Sequence, residues 1–141
     1  RVLDVGCGTG YSTALLATLA GTVTAVESDK VMADQAQNLL KDKDIAASNA
    51  QVIHQADAAA GFAQNKPYNV ILINGSVAVI PDKLKAQLAE GGRLFAVLSA
   101  HGHMGTAVMV LRHGDTFSTR ALFDAATPAL PGFEEPKKFV F

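Results

Sequence analysis

The sequence predicts an α/β domain on a doubly wound sheet, with parallel strands in the order 3-2-1-4-5 extended by an antiparallel meander. Three observations carry this expectation. Short apolar runs bounded by turn residues alternate with segments of helical period along most of the chain. A glycine-rich turn, Gly6 to Gly10, joins the first apolar run to the first helical segment, as in Rossmann-like domains. After residue 99 the spacing between runs is too short to hold a crossover helix, so the following strands return antiparallel.

Residues 2–5 read as the first strand and residues 11–20 as the first helix. Residues 22–27 form the second strand, after which Ser28 or Asp29 caps a helix whose Met32, Ala36, Leu39 and Leu40 share one face. Residues 51–54 are a short third strand. Residues 68–74, YNVILIN, are almost continuously apolar, as a central parallel strand buried on both faces requires. Pro81 and Asp82 open a helix carrying Leu84 and Leu88, which Gly91-Gly92 ends before a fifth strand over residues 93–99. The loop 100–105 leads to a strand over 106–112. His113-Gly114-Asp115 then turns the chain into 116–123, where Phe117, Ala121 and Phe123 alternate on one face. Residues 139–141 read as a small edge strand beyond the proline-containing loop 125–136.

The chain has 141 residues, the size of one domain with one core. With 49% apolar and 18% charged residues, and no run near the ~18 apolar residues of a membrane span, a membrane protein is not expected. Twelve basic against thirteen acidic residues, scattered rather than blocked, give a net charge of −1 and no surface for a nucleic-acid backbone. The lone cysteine, Cys7, makes neither an internal disulfide nor a cysteine metal cluster, which fits a reducing compartment such as the cytoplasm. The chain opens on Arg1 within strand-like sequence, without an initiator methionine, and reads as lacking its start; a catalytic group placed upstream would then lie outside it.

The glycine loop is the most informative segment. Gly6, Gly8 and Gly10 let the backbone approach a ligand at the carboxyl end of the first strand, and free amides at the helix start can receive a ligand carboxylate. A dinucleotide fingerprint instead needs a glycine where Tyr11 stands, and so bulky a side chain there would crowd helix, strand and pyrophosphate. Glu27 ends the second strand about twenty residues after the loop, where a carboxylate can accept hydrogen bonds from both hydroxyls of a ribose. Blander alternatives are a glycine turn that only joins strand to helix, and a solvated acid favoured by the next helix's dipole. Asn74, a polar residue closing an apolar central strand at its ligand-binding edge, is a candidate contact to cofactor or substrate.

These features resemble a family. The DVGCGTG loop, the acid closing the second strand, Asp57 after the third and the LAEGGRL turn are similar to class I S-adenosylmethionine-dependent methyltransferases over nearly the whole chain. Within them, YNVILINGSVAVIP, QLAEGGRL and the hairpin into AVMVLRHGDTFSTRALFDA resemble the protein-L-isoaspartate O-methyltransferase family, particularly its bacterial branch. The resemblance implies S-adenosylmethionine as cofactor, with Asp4, Gly6, Gly8 and Gly10 around its methionine part and Cys7 and Thr9 contacting it through backbone. It further implies Glu27 on the ribose with Ser28 beside it, and Asp57 with Ala58 at the adenine. The implied activity is methylation of isoaspartyl carboxyl groups in damaged proteins, by a cytoplasmic monomer. Two departures bear on the acceptor. Asn74-Gly75-Ser76 stands where the family carries a small-residue run such as Thr-Ala-Ala, and the family's active-site hydroxyl lies upstream of the glycine loop, so no catalytic residue is carried over.

A sulfonium already makes its methyl group electrophilic, so positioning is the main demand, and a carboxylate acceptor, ionised at neutral pH, needs no general base. A small-molecule acceptor and a non-catalytic cofactor-binding module remain as other readings. His101 and His103 lack a third ligand at metal spacing and read as loop residues, so no metal site is expected. His54, Cys7 and His113 read as a strand end, a small buried residue and a turn residue, and Lys137-Lys138 as a solvated pair.

Overall fold

The computed structural model describes residues 1–99 and 104–134. Seven strands form one sheet: β1 (Val2–Val5), β2 (Val23–Glu27), β3 (Ala50–His54), β4 (Tyr68–Val77), β5 (Leu88–Leu98), β6 (Gly105–His113) and β7 (Thr116–Ala125). Their order is β3-β2-β1-β4-β5-β6-β7; β1 to β5 pair parallel, and β5, β6 and β7 form an antiparallel meander, as expected from the sequence. The expected features on residues 100–103 and 135–141, among them His101, His103, Lys137, Lys138 and the strand 139–141, lie outside the described residues.

Residues opposite one another on neighbouring strands carry their side chains to the same face, so the register separates the two faces. Leu3, Ile71, Leu94 and Val110 stand in one row across four strands and are fully buried. With Val5, Tyr68, Ile73 and Leu84 they make the larger core, under the 3-10 turns Ala58–Ala60 and Ala63–Asn65 and the short helix α3 (Asp82–Lys85). The next row, Asp4, Leu72, Phe95 and Met109, faces the other way. On this side α1 (Tyr11–Leu19) and α2 (Lys30–Lys41) cover the sheet's β3 end, closing a second core of small residues around Ala25, Ala33 and Ala36. Leu72, Phe95 and Met109 are only half-buried.

Asp29, rather than Ser28, caps α2: its carboxylate accepts the Met32 N–H at 3.1 Å. The buried stripe of α2 is Ala33, Ala36 and Leu40, and Met32 is exposed. Ala36 and Leu40 of the expected face are thus buried and Leu39 half-buried, while Ala33 rather than Met32 completes the stripe; Ala36 lies against Gly10, where only a small residue fits. Leu88 also differs from expectation. It pairs with Tyr68 as the first residue of β5 rather than riding on α3, which is only four residues long. Between the Tyr68↔Leu88 and Val70↔Arg93 pairs, β5 makes a four-residue excursion through Gly91-Gly92, so this pair is a bulge within a strand, not a helix end. Tyr68 is buried and anchors that bulge, since a Cβ on Gly92 would lie 2.9 Å from its carbonyl oxygen.

The β6–β7 hairpin turns at Gly114-Asp115 as expected, but Phe123 does not share a face with Phe117 and Ala121. Ala121 pairs with Val108 and Phe123 with Ala107, so Leu122 is an inserted bulge residue that sends Phe123 to the opposite face. Beyond β7 the chain returns across the top of the sheet. Ser76 donates its N–H to the Pro128 carbonyl and accepts the Leu130 N–H, both at 2.9 Å, which pins residues 128–130 alongside the end of β4.

Candidate active site

The strand order reverses between β1 and β4, and in open α/β sheets the crevice outside the carboxyl ends at such a point is where ligands bind. The glycine loop closes β1 at this place, and Asn74 lies on the neighbouring end of β4. Gly8 has φ +58°, a conformation that side chains rarely adopt, and a Cβ there would meet nothing within 4 Å. The loop therefore borders open space at its centre. Gly10 serves a different purpose: a Cβ on it would lie 2.9 Å from the Ala36 Cα, so its absence lets the start of α1 touch α2. Tyr11 is 78% exposed, and the close approach of helix to helix falls at Gly10. Gly10 also precedes α1 as a cap residue without a side chain, so no side chain caps the first-turn amides of that helix.

Glu27 is buried at the end of β2. Its Oε2 accepts the Gly8 N–H at 2.7 Å and its Oε1 accepts the Asp29 N–H at 3.0 Å. Two of its roughly four lone-pair sites are thereby used to fix the carboxylate, and the others remain for hydroxyl donors such as those of a ribose. The Gly8 amide itself is directed at Glu27 rather than offered to a ligand.

Asp4 is fully buried on β1 under the start of α1. Its Oδ2 accepts from Ser12 Oγ at 2.7 Å and from Thr13 Oγ1 at 2.8 Å. Its Oδ1 is buried with no partner among the described residues. Burial pushes the carboxyl above its ordinary pKa; the two hydroxyl bonds pull the other way, and the Glu27 charge adds to the rise. Asn74 joins this cluster, its Nδ2 donating to Ser12 Oγ at 2.8 Å. Here β4 bulges: Leu72 pairs with Phe95 and Ser76 with Val97, so three β4 residues span the length that only Ala96 covers on β5. Such a bulge re-aims a side chain, and it brings Asn74 over α1.

The remaining expected site residues sit around this centre. Cys7 is buried in the small-residue core and its thiol is pushed up to about 12, first by burial and then by the Asp4 charge, which disfavours the reactive thiolate at neutral pH. Thr9 is exposed on the loop. Ser28 is half-buried beside Glu27, and its carbonyl accepts from His54 Nε2 at 3.2 Å. Asp57 and Ala58 follow the carboxyl end of β3; Ala58 is buried, whereas Asp57 is exposed and pairs with Lys83 at 3.4 Å. Among the described residues no group of His, Cys, Asp or Glu could hold a metal ion.

Three contributors were not foreseen. Ser12 and Thr13 orient Asp4, which their place in the first turn after the glycine loop would have signalled. Leu130 covers the loop: a Cβ on Gly6 would meet its Cδ2 at 2.8 Å, and one on Gly75 its Cγ at 2.5 Å. No local pattern announces Leu130, because the contact joins the two ends of the chain.

Fold and site together define an α/β nucleoside-cofactor domain of the class I methyltransferase type. A family model described as Protein-L-isoaspartate(D-aspartate) O-methyltransferase (PCMT) matches residues 1–122, and the chain belongs to that family. The Protein-L-isoaspartate O-methyltransferase of Alkalilimnicola ehrlichii is 37% identical over 112 residues, covering 79% of this chain and 49% of that protein. Protein-L-isoaspartate O-methyltransferase 1 of Nitrosococcus oceani is 38% identical over 122 residues, 86% of this chain and 56% of the other. The chain thus spans about half the length of the curated relatives it matches. A solved protein-L-isoaspartate O-methyltransferase superposes with a TM-score of 0.86 at 22% identity, over 95% of this chain and 43% of that one. A Plasmodium falciparum structure described as a beta-aspartate methyltransferase (PCMT), in complex with S-adenosyl-L-homocysteine, gives 0.71 at 21% identity, over 94% of this chain and 66% of that one.

Proposed function

We propose that the full-length protein transfers a methyl group from S-adenosylmethionine to the carboxyl group of isoaspartyl residues in damaged proteins. The observation that carries this reading is the crevice at the β1/β4 reversal, where Glu27 and the Gly8 loop are hydrogen-bonded into one unit within a chain of this family. When bound, the cofactor supplies an electrophilic methyl group on a sulfonium. Transfer of that methyl group to an acceptor carboxylate oxygen would give the methyl ester and S-adenosylhomocysteine. The residues present fit that cofactor: the uncapped first turn of α1 suits its carboxylate, the open volume above Gly8 its methionine chain, and the free lone pairs of Glu27 its ribose. The unpartnered Asp4 Oδ1 is an acceptor held ready on the β1 side. Ser28, Asp57 and Ala58 border the adenine end. Cys7 and Thr9 contribute backbone, and Asn74 faces the acceptor. An ionised acceptor carboxylate leaves these residues only binding and alignment to perform.

The single cysteine supports a reducing compartment, and we place the protein in the cytoplasm as a monomer. Release of S-adenosylhomocysteine on incubating the full-length protein with S-adenosylmethionine and an isoaspartyl peptide tests the reading. No turnover by a protein that binds the cofactor refutes the substrate. One observation favours a second reading, a small-molecule acceptor: the polar Asn74 at the crevice edge. Methylation of a metabolite fraction and not of the peptide selects it.

A further inference from the structure

We propose that Asn74 holds the methyl acceptor by accepting a hydrogen bond from one of its peptide N–H groups through the side-chain carbonyl oxygen. The proposal rests on the isoaspartyl reading above and names the part of the substrate that this chain's own residue recognises.

Hydrogen-bond polarity carries the argument. Asp4 Oδ2 accepts from Ser12 Oγ at 2.7 Å and Thr13 Oγ1 at 2.8 Å, and each hydroxyl has a single proton to give. Ser12 has therefore spent its proton and keeps only lone pairs for the Asn74 side chain 2.8 Å away. The group Asn74 turns toward Ser12 is then its NH2, and the planar amide sends Oδ1 the other way. Asn74 is exposed, and among the described residues nothing donates to Oδ1. A side chain that is free to flip elsewhere is here held as an outward acceptor by a chain of bonds starting at a buried carboxylate. The bulge between Leu72 and Ser76 places it at the crevice between β1 and β4, beside the wall that Leu130 builds over Gly6 and Gly75.

An acceptor oxygen at this place favours N–H and O–H donors and repels a carboxylate. The reacting group of an isoaspartyl residue is a carboxylate without a proton at neutral pH, so Asn74 does not hold it. The donors the same substrate offers are the main-chain amides flanking that residue. Asn74 would thus read the peptide character of the acceptor and leave the carboxylate free to meet the methyl group.

The test uses the full-length protein, an isoaspartyl peptide, and two depsipeptide analogues in which an ester oxygen replaces one or the other flanking N–H. We expect one analogue to lose tenfold or more in kcat/KM with the parent protein. Asn74→Ala should lose a similar factor on the ordinary peptide, suffer no further loss on that analogue, and bind S-adenosylmethionine with parent affinity. Equal rates on all three peptides with the parent protein overturn the proposal, and this arm needs no variant. A further loss on the analogue in Asn74→Ala also overturns it, as does weakened cofactor binding without a change in peptide discrimination. If the parent protein methylates no isoaspartyl peptide while binding the cofactor, the isoaspartyl reading itself fails and this proposal falls with it.

Discussion

Gly8 donates its backbone N–H to the Glu27 carboxylate across 2.7 Å, so the centre of the glycine loop and the acid closing β2 move as one piece. A second bond, from the Asp29 N–H, extends that piece to the start of α2. A ligand held by Glu27 would therefore be coupled to local backbone order.

Glu27→Ala removes a buried acceptor of two N–H bonds. Hydrogen bonds to a charged group contribute about 1.5–3 kcal/mol each, so we expect a lower melting temperature as well as S-adenosylmethionine binding weakened tenfold or more. Calorimetry at a temperature where the variant is folded checks this, and unchanged affinity refutes the ribose assignment.

Gly8→Val tests the loop more directly. The φ of +58° makes a β-branched residue strained by about 1–3 kcal/mol, but no protein atom lies within 4 Å of the new Cβ. The variant should fold with a reduced melting temperature and bind no cofactor, because its side chain occupies the open volume. Parent affinity in a folded Gly8→Val protein would reduce the loop to a connector.

Asp4 gives a pH dependence with a defined sign. Because burial raises its pKa in the folded protein, the folded state keeps the proton to higher pH than the unfolded chain does. Asp4's contribution to stability is thus most favourable below the ordinary carboxylate pKa and declines as pH rises through the raised one. Asp4→Asn retains an acceptor for Ser12 and Thr13 without the charge. Its melting temperature should lack that decline and exceed the parent's at neutral pH, while cofactor affinity falls. Thermal melts across the mildly acidic range decide it; identical slopes for parent and variant would remove Asp4 as the source.

The Cys7 thiol, buried and pushed up to about 12, should resist aromatic disulfide reagents in the folded protein at mildly alkaline pH. One equivalent should react after unfolding in guanidinium. Rapid labelling of the native protein would show a loop more open than described.

The parallel sheet was legible because its signals are local. The apolar YNVILIN run marks the central strand, although only its Ile71 and Ile73 face is fully buried and Val70 and Leu72 are half-buried, and the glycines after Val5 mark the carboxyl edge of β1. Contacts made across the fold overrode local pattern elsewhere. Leu84 and Leu88 have helical spacing, yet pairing with Tyr68 draws Leu88 into the sheet. Phe117, Ala121 and Phe123 alternate in sequence, yet a bulge at Leu122, visible only from the β6 register, turns Phe123 over. At the site, the glycines, Glu27 and Asn74 were readable from spacing and from polarity at a strand end. The links that make them one site, Gly8 to Glu27 and Asn74 through Ser12 to Asp4, depend on side-chain approach that spacing does not encode. Leu130 shows the limit most clearly, since its partner Gly6 lies at the other end of the chain.

The position of β1 has a consequence for how the protein comes into being. Its two ladders run to β2 and to β4, the latter from the middle of the chain, and both must close before the crevice exists. A nascent chain ending before Tyr68 already holds every glycine of the loop, but not the strand that walls the site's other side. Closing so long a connection is slow relative to forming α1 or α2. Cofactor capture during synthesis should therefore begin late and abruptly, making ligand retention on ribosome-stalled chains of increasing length a direct readout of when the sheet's centre locks.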